Sequence, residues 1–196
     1  MGIIDILLTG VGLSMDAAAV SMTNGMNEPK MKLPKILLIA LFYGVAQGVM
    51  PLIGYYAGSL FATAVAKIAP WLALVLLGFI GGKMIFEAIC ELKKNGEQPK
   101  EAKPLSLGSL AVQALATSID ALVVGISLVA LDKSGALAVN IFVAVSMIAA
   151  STFIISLLSV FIGKKFGELL SDKAELVGGL ILVAIGLKIF IEGIFF

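Results

Sequence analysis

The chain has 196 residues, 60% of them hydrophobic and 14% charged, and a mean hydropathy of +1.08. A soluble domain of this size needs far more polar surface, so the composition reads as a membrane protein. A formal net charge of +1 offers no basic field for nucleic acid. All 14 basic residues are lysine, histidine is absent and Cys90 is the single cysteine, which excludes a disulfide framework, a dithiol relay and a histidine-based zinc site within one chain.

The first apolar run, residues 3–24, has no basic leader and no convincing small-residue cleavage site, and is expected to be a membrane span, not a signal peptide. Further runs lie at 35–62, 69–90, 105–131, 135–163 and 175–195, each near or above the ~20 residues that cross the hydrocarbon core as a helix. The expected fold is an all-α membrane protein with six transmembrane helices. Inside the second run Pro51 removes one hydrogen bond and frees the carbonyl of Gln47, so both Gln47 oxygens can face a cavity; Gly44, Gly48, Gly54 and Gly58 permit close helix contact. Between the third and fourth runs, Glu91 to Pro104 carries Lys93, Lys94, Asn95, Gly96, Pro99, Lys100, Lys103 and Pro104, a composition that ends a helix and marks a solvated linker. Asp172-x-x-Glu175, just before the sixth run, resembles an acidic capping box.

Lysine placement sets the expected orientation. The connections after the first, third and fifth runs hold ten lysines, whereas the opposite side holds only Lys67 and Lys133. By the positive-inside rule, both termini face away from the cytoplasm. The chain also repeats itself. Asp16 and Asp120 differ by 104 positions, and Gly81-x-Lys83-x-x-x-Glu87 superposes on Gly186-x-Lys188-x-x-x-Glu192 at a shift of 105. Residues 1–92 thus form a first three-helix repeat, 93–104 a charged cytoplasmic linker and 105–196 a second repeat. Because three is odd, the second copy enters the membrane from the other side, giving an inverted repeat with its site near the midplane.

The residues with the clearest chemistry are the two aspartates in matching contexts, Leu13-Ser14-Met15-Asp16-Ala17 and Thr117-Ser118-Ile119-Asp120-Ala121. A carboxylate in the bilayer core costs roughly 2.5–3.5 kcal/mol even on the lenient insertion scale, so two at equivalent places point to a cation. Asp16 lies on a stripe with Thr9 and Thr23, and Asp120 on one with Gln113 and Ser127; Thr117 shares the Asp120 face, and Asn24 ends the first helix near the side of Asp16. Ser14 and Ser118 point away from these stripes. Small polar residues of this kind also act as glue between membrane helices. Oxygen ligands from Asp16, Asp120, Thr117, Asn24 and Gln47 suit a hard divalent ion such as Mn²⁺ or Mg²⁺, and two carboxylates neutralise one such ion. Met15 and Met22 flank Asp16; as ligands they favour a softer metal, and as packing residues they are filler. Lys83 with Glu87 and Lys188 with Glu192, spaced i, i+4, are expected to pair within their helices, either snorkelling to the interface or forming a gate or proton relay at each membrane face.

Five strings together resemble the MntP-type manganese efflux pumps, a branch of the lysine-exporter superfamily: Ser14-Met15-Asp16-Ala17, Pro51-Leu52-Ile53-Gly54, Gly81-Gly82-Lys83-Met84-Ile85-Phe86-Glu87, Ala116-Thr117-Ser118-Ile119-Asp120-Ala121 and Lys173-Ala174-Glu175-Leu176-Val177-Gly178-Gly179. Their order and spacing cover the whole chain. The resemblance implies a six-helix inner-membrane exporter that lowers cytoplasmic Mn²⁺, with the family's paired aspartates at Asp16 and Asp120. The chain departs from the pattern after Asp16-Ala17, where the family usually has Phe and then Gly-Lys-Gly and this chain has Ala18 and Thr23-Asn24-Gly25.

The function expected is a non-enzymatic secondary transporter with Mn²⁺ as substrate, no cofactor and protons as counter-ion, in the lipid bilayer and with room for a homo-oligomer. Two carboxylates at close range cannot both stay ionised once the metal leaves, which makes protons the natural replacement. No Gly-x4-Gly-Lys-Ser/Thr loop supports direct ATP use. An exporter of an organic cation or amino acid with the same architecture is the alternative, although a primary amine needs only one carboxylate. An intramembrane aspartyl protease is disfavoured because neither aspartate follows Gly-x-Gly.

Overall fold

The computed structural model describes residues 1–93, 105–135, 137–170 and 174–195, and among these the regular structure is entirely helical. The helices are α1 (Ile3–Asn27), α2 (Leu33–Lys93), α3 (Leu107–Thr117), α4 (Ile119–Lys133), α5 (Ile141–Leu170) and α6 (Ala174–Phe195). Three stretches, Ile3–Asn27, Leu33–Ala57 and Ile141–Phe166, are long and apolar enough to cross a membrane, and α3 with α4 makes a fourth if the bent pair is one span. Large apolar side chains stay on the outside of the bundle, with Phe79 73% exposed and Phe86 70% exposed, as expected where lipid replaces water. Of the expected linker, residues 94–104 lie outside the described residues, as does Asp172; nothing is described of the Glu175, Glu87 and Glu192 side chains.

Two boundaries differ from the sequence expectation. The second and third runs are joined in one helical stretch, α2, which continues through Gly58 and Pro70. That stretch is not a straight rod. Asn24 of α1 donates to the Tyr43 hydroxyl and Asn27, one turn on, to the Met84 sulfur, whereas a straight helix sets residues 43 and 84 about 60 Å apart. The two arms of α2, residues 33–57 and 77–93, therefore fold back on the same part of α1.

The fourth run is instead broken, with α3 and α4 meeting at an angle of 40° around Ser118. The cause is local. The Thr117 hydroxyl donates to the Gln113 carbonyl and the Ser118 hydroxyl to the Ala114 carbonyl, while the Ser118 N–H turns to Leu115. Side chains thus take acceptors that the helix ladder uses, which bends or ends a helix.

Contacts fix the relative directions. Gly10 of α1 meets Ile148 and Ser151 of α5, and Gly25 meets Val160 and Lys164, so α1 and α5 run parallel. Along the first arm of α2, Tyr43 faces Asn24 of α1 and Gln113 of α3, and Gln47 faces Leu13 and Thr117. Going from Tyr43 to Gln47, α1 is followed backwards and α3 forwards. Helices α1 and α3 are antiparallel.

Close crossings hold these helices. A Cβ on Gly25 would lie 2.3 Å from the Val160 carbonyl oxygen, one on Gly163 2.0 Å from that of Met22, one on Gly54 2.1 Å from that of Leu122 and one on Gly125 2.1 Å from that of Pro51. Each crossing uses one glycine from either side, so α1 meets α5 and α2 meets α4 backbone to backbone. Between the second arm of α2 and α6, Gly81 approaches Gly179 and Leu182, and Gly186 approaches Leu74 and Leu77.

Gly125→Leu must push α4 away from the Pro51 backbone, and overpacking of this kind costs about 1–3 kcal/mol or more. It should lower the thermal unfolding midpoint in detergent sharply, whereas Gly78→Ala, where an added Cβ meets nothing within 4 Å, should leave it nearly unchanged.

Candidate functional site

Asp16 lies in the middle of α1, an unbroken helix, and Asp120 in the first turn of α4, immediately after the break. The helix start suits a carboxylate, since its unsatisfied N–H groups carry partial positive charge. Asp120 Oδ1 accepts the Ala121 N–H at 2.8 Å. Both side chains are partly buried, Asp16 to the point of 14% exposure.

Gln47 brings the two helices together. Its side-chain nitrogen donates to the Leu13 carbonyl at 3.0 Å and the Thr117 carbonyl at 3.1 Å, so those oxygens lie within about 6 Å of each other. Leu13 precedes Asp16 by three residues and Thr117 precedes Asp120 by three, so one amide group pins equivalent points of two antiparallel helices. Gln47 is fully buried, and its side-chain oxygen accepts no hydrogen bond. That oxygen is a free acceptor beside the carboxylate-bearing turns.

Asp16 and Asp120 share one electrostatic environment. The charged groups that act on the Asp120 carboxyl are Asp16 and Lys188, and Lys188 Nζ lies 3.3 Å from Asp16 Oδ1. A Lys188–Asp16 ion pair crosses from α6 to α1, a contact that spacing within one helix does not display. The expected pairing of Lys188 with Glu192 involves a side chain outside the described ones.

The other expected ligands divide. Thr117 is buried at the break, its hydroxyl committed to its own helix and its carbonyl to Gln47. Asn24 is eight residues beyond Asp16, about 12 Å along the helix, and is not brought to it. It donates to Gln113 Oε1 at 2.9 Å and to the Tyr43 hydroxyl at 3.3 Å, and Tyr43 donates to the same Gln113 oxygen at 3.0 Å. This buried triad joins α1, α2 and α3 one level away from the aspartates. Met15 is 53% exposed, on the outer face. Ser14 and Ser118 are fully buried and bond to carbonyls of their own helices, the packing role open to small polar residues. Lys83 is exposed and makes no ion pair among the described residues.

The sequence reading passed over three buried hydroxyls without hydrogen-bond partners: Ser21, Thr152 and Ser156. The repeat shift of 105 carries Gln47 onto Thr152, a signal that could have found it. Among the described residues no third His, Cys, Asp or Glu joins the carboxylate pair, so any ion bound there must complete its shell with neutral oxygens.

A family profile described as "Mntp: Putative manganese efflux pump" matches residues 30–190. The chain is 44% identical over 196 residues to "Putative manganese efflux pump MntP" of Ruminiclostridium cellulolyticum, covering 100% of this chain and 99% of that protein. It is 43% identical over 194 residues to the protein of the same name in Rippkaea orientalis, with 99% and 98% covered, and 42% identical over 209 aligned positions to that of Clostridium perfringens, with 98% and 95% covered. No solved structure matches.

Removing the amide of Gln47 should cost more than removing the Tyr43 hydroxyl. Gln47→Leu deletes both bridging bonds, each worth about 1 kcal/mol, whereas Tyr43→Phe leaves Asn24 and Gln113 bonded to each other. Thermal unfolding of the purified variants in detergent should rank Gln47→Leu below Tyr43→Phe.

Proposed function

The chain belongs to the manganese efflux pump family, a family of transporters and not of enzymes, and from that premise we propose that it exports Mn²⁺ across the cell membrane through a midplane site built on Asp16 and Asp120, in exchange for protons. The observation that carries this reading is the Gln47 bridge, which holds the turns before both aspartates side by side. Two carboxylates match the charge of one Mn²⁺, and the free Gln47 oxygen adds a neutral hard donor of the kind such an ion takes.

The architecture proposed is six spans in two inverted repeats, residues 1–92 and 105–196, joined by the charged linker. Three observations support it. Helices α1 and α3, which carry matching sequence, run antiparallel. The pairing of α1 with α5 has its counterpart in that of α4 with the first arm of α2. The contacts of Gly81 with Gly179 and Leu182 turn into those of Gly186 with Leu74 and Leu77 when the halves are exchanged by 105 positions. The lysine distribution supports an orientation with both termini outside the cytoplasm.

Such a site is built for alternating access, with the repeats rocking about a fixed pair of ligands. Mn²⁺ enters from the cytoplasm, neutralises the carboxylates and is released on the other side. The emptied carboxylates then need new positive charge, because two close ionised groups in a poorly solvated site are costly. Protons supply it.

Asp16→Asn and Asp120→Asn keep side-chain size while removing one charge each. Both variants should reach the membrane in normal amount and lose at least about 90% of Mn²⁺ export, a loss equivalent to roughly 1.4 kcal/mol or more. Intracellular manganese in cells challenged with the metal measures this, and near-normal export by either variant overturns the site.

Coupling is tested in proteoliposomes carrying a pH reporter. An imposed gradient, acidic on the side of Mn²⁺ delivery, should accelerate Mn²⁺ flux, with protons moving the opposite way. Flux indifferent to the gradient and without proton movement rules the exchange out in favour of a uniporter.

A further inference from the structure

Lys188 is a cation supplied by the protein to one of the two carboxylates that are proposed to hold the metal. Its ammonium lies 3.3 Å from Asp16 Oδ1 and its charge also reaches Asp120. A lysine 14 residues into α6 is about 21 Å from the start of that helix, still well within the span, and its Cβ bond aims toward the midplane. The contact is thus one that the helix geometry promotes.

The two repeats do not treat their aspartates alike. Lys83 is the repeat equivalent of Lys188, on the second arm of α2, yet it is exposed and makes no ion pair among the described residues. Asp120, the equivalent of Asp16, has the Ala121 N–H as its recorded hydrogen-bond donor. The glycine crossings differ in the same way. The α1–α5 crossing is at Gly25 and Gly163, nine residues beyond Asp16, while the α4–α2 crossing is at Gly125 and Gly54, five residues beyond Asp120. Relative to its aspartate, one crossing is displaced by about one helical turn from the other. In an inverted repeat, exchanging the conformations of the two halves turns a structure that faces one side into one that faces the other. The same exchange releases Lys188 from Asp16 and brings Lys83 to Asp120.

We propose that Lys188 and Lys83 are alternating tethered counter-cations: each pairs with the aspartate of the opposite repeat when the metal has left, so that the empty carrier can return across the membrane. Mn²⁺ and the lysine compete for the same carboxylate. The proposal rests on Asp16 and Asp120 being the metal site and deepens that reading.

The experiment separates two fluxes in proteoliposomes. Exchange of ⁵⁴Mn²⁺ for unlabelled Mn²⁺ needs only the loaded carrier, whereas net flux into Mn²⁺-free buffer also needs the empty carrier to return. Lys188→Gln should keep exchange within about two-fold of the parent protein, reduce net flux at least ten-fold, and bind Mn²⁺ about 2- to 5-fold tighter, the competition expected of a half-exposed ion pair. Lys83→Gln should show the same split between exchange and net flux, and Lys188→Arg should recover net flux. Normal net flux in Lys188→Gln overturns the proposal. So does equal loss of exchange and net flux in a variant that still binds Mn²⁺, since that marks a structural role or a role in the loaded step. Failure of the metal-site reading gives a different result: Asp16→Asn then binds and exchanges Mn²⁺ like the parent, whatever the lysine variants do.

Discussion

A carboxylate that must stay inside a membrane governs the rest of this structure. Hydrocarbon offers no water to complete a polar shell, so the groups around Asp16 and Asp120 have to come from the protein or, on the proposed function, from a bound cation. The answer is distributed over three helices. α4 gives Asp120 a helix N-terminus, α6 gives Asp16 an ammonium, and the first arm of α2 gives one glutamine that ties α1 to α3, the helix that ends just before Asp120. None of these groups lies next to another in sequence, which is why the bundle has to be packed as closely as it is.

The glycines make that closeness available. At Gly25, Gly163, Gly54 and Gly125 there is no room for a Cβ, and the backbones meet directly. A polar side chain has limited reach, about 6 Å for glutamine or lysine, and helices with larger residues at the crossings stand 8–10 Å apart at best. The polar core also follows from the break at Ser118. By spending helix carbonyls on the Thr117 and Ser118 hydroxyls, the chain opens the Thr117 carbonyl to Gln47 and starts a new helix at Asp120. Local hydrogen bonds that weaken a helix here create the start of another where a negative charge needs it.

Much of this was legible in the sequence, and what was not has a physical reason. Apolar runs located helical stretches, of which three, or four if α3 and α4 are one span, are long and apolar enough to cross a membrane. The pairing of Asp16 with Asp120 was legible because the repeat marks them as equivalent. Gln47 was found through Pro51, although it acts chiefly through its side-chain amide, whose two bonds reach helices 34 and 70 residues away. That Asn24 bonds Tyr43 and Gln113 is not legible, because an angular sector on a helix does not show that a residue lies two turns further along the axis. The contact of Lys188 with Asp16 is not legible because spacing within one helix displays only local pairings, and Asp16 is 172 residues distant. The join within α2 is not legible in the apolar runs, which mark hydrocarbon-spanning length and not where backbone hydrogen bonding stops.

The two halves have diverged at the places that matter most. Only the second repeat is broken beside its aspartate, and where the first has Gln47 the second has Thr152, too short to bridge two helices and left without a hydrogen-bond partner. Ser156, one turn further, is in the same condition. A buried hydroxyl without a partner costs about 1–3 kcal/mol relative to a satisfied one, so these positions carry stored cost in the present arrangement. If the halves were identical, the two facing states would have equal energy and an empty carrier would divide its time evenly between them. On the alternating-access reading proposed above, a glutamine clamp in one repeat and a helix break in the other would make the two states unequal, and that difference would set which side the unloaded protein faces.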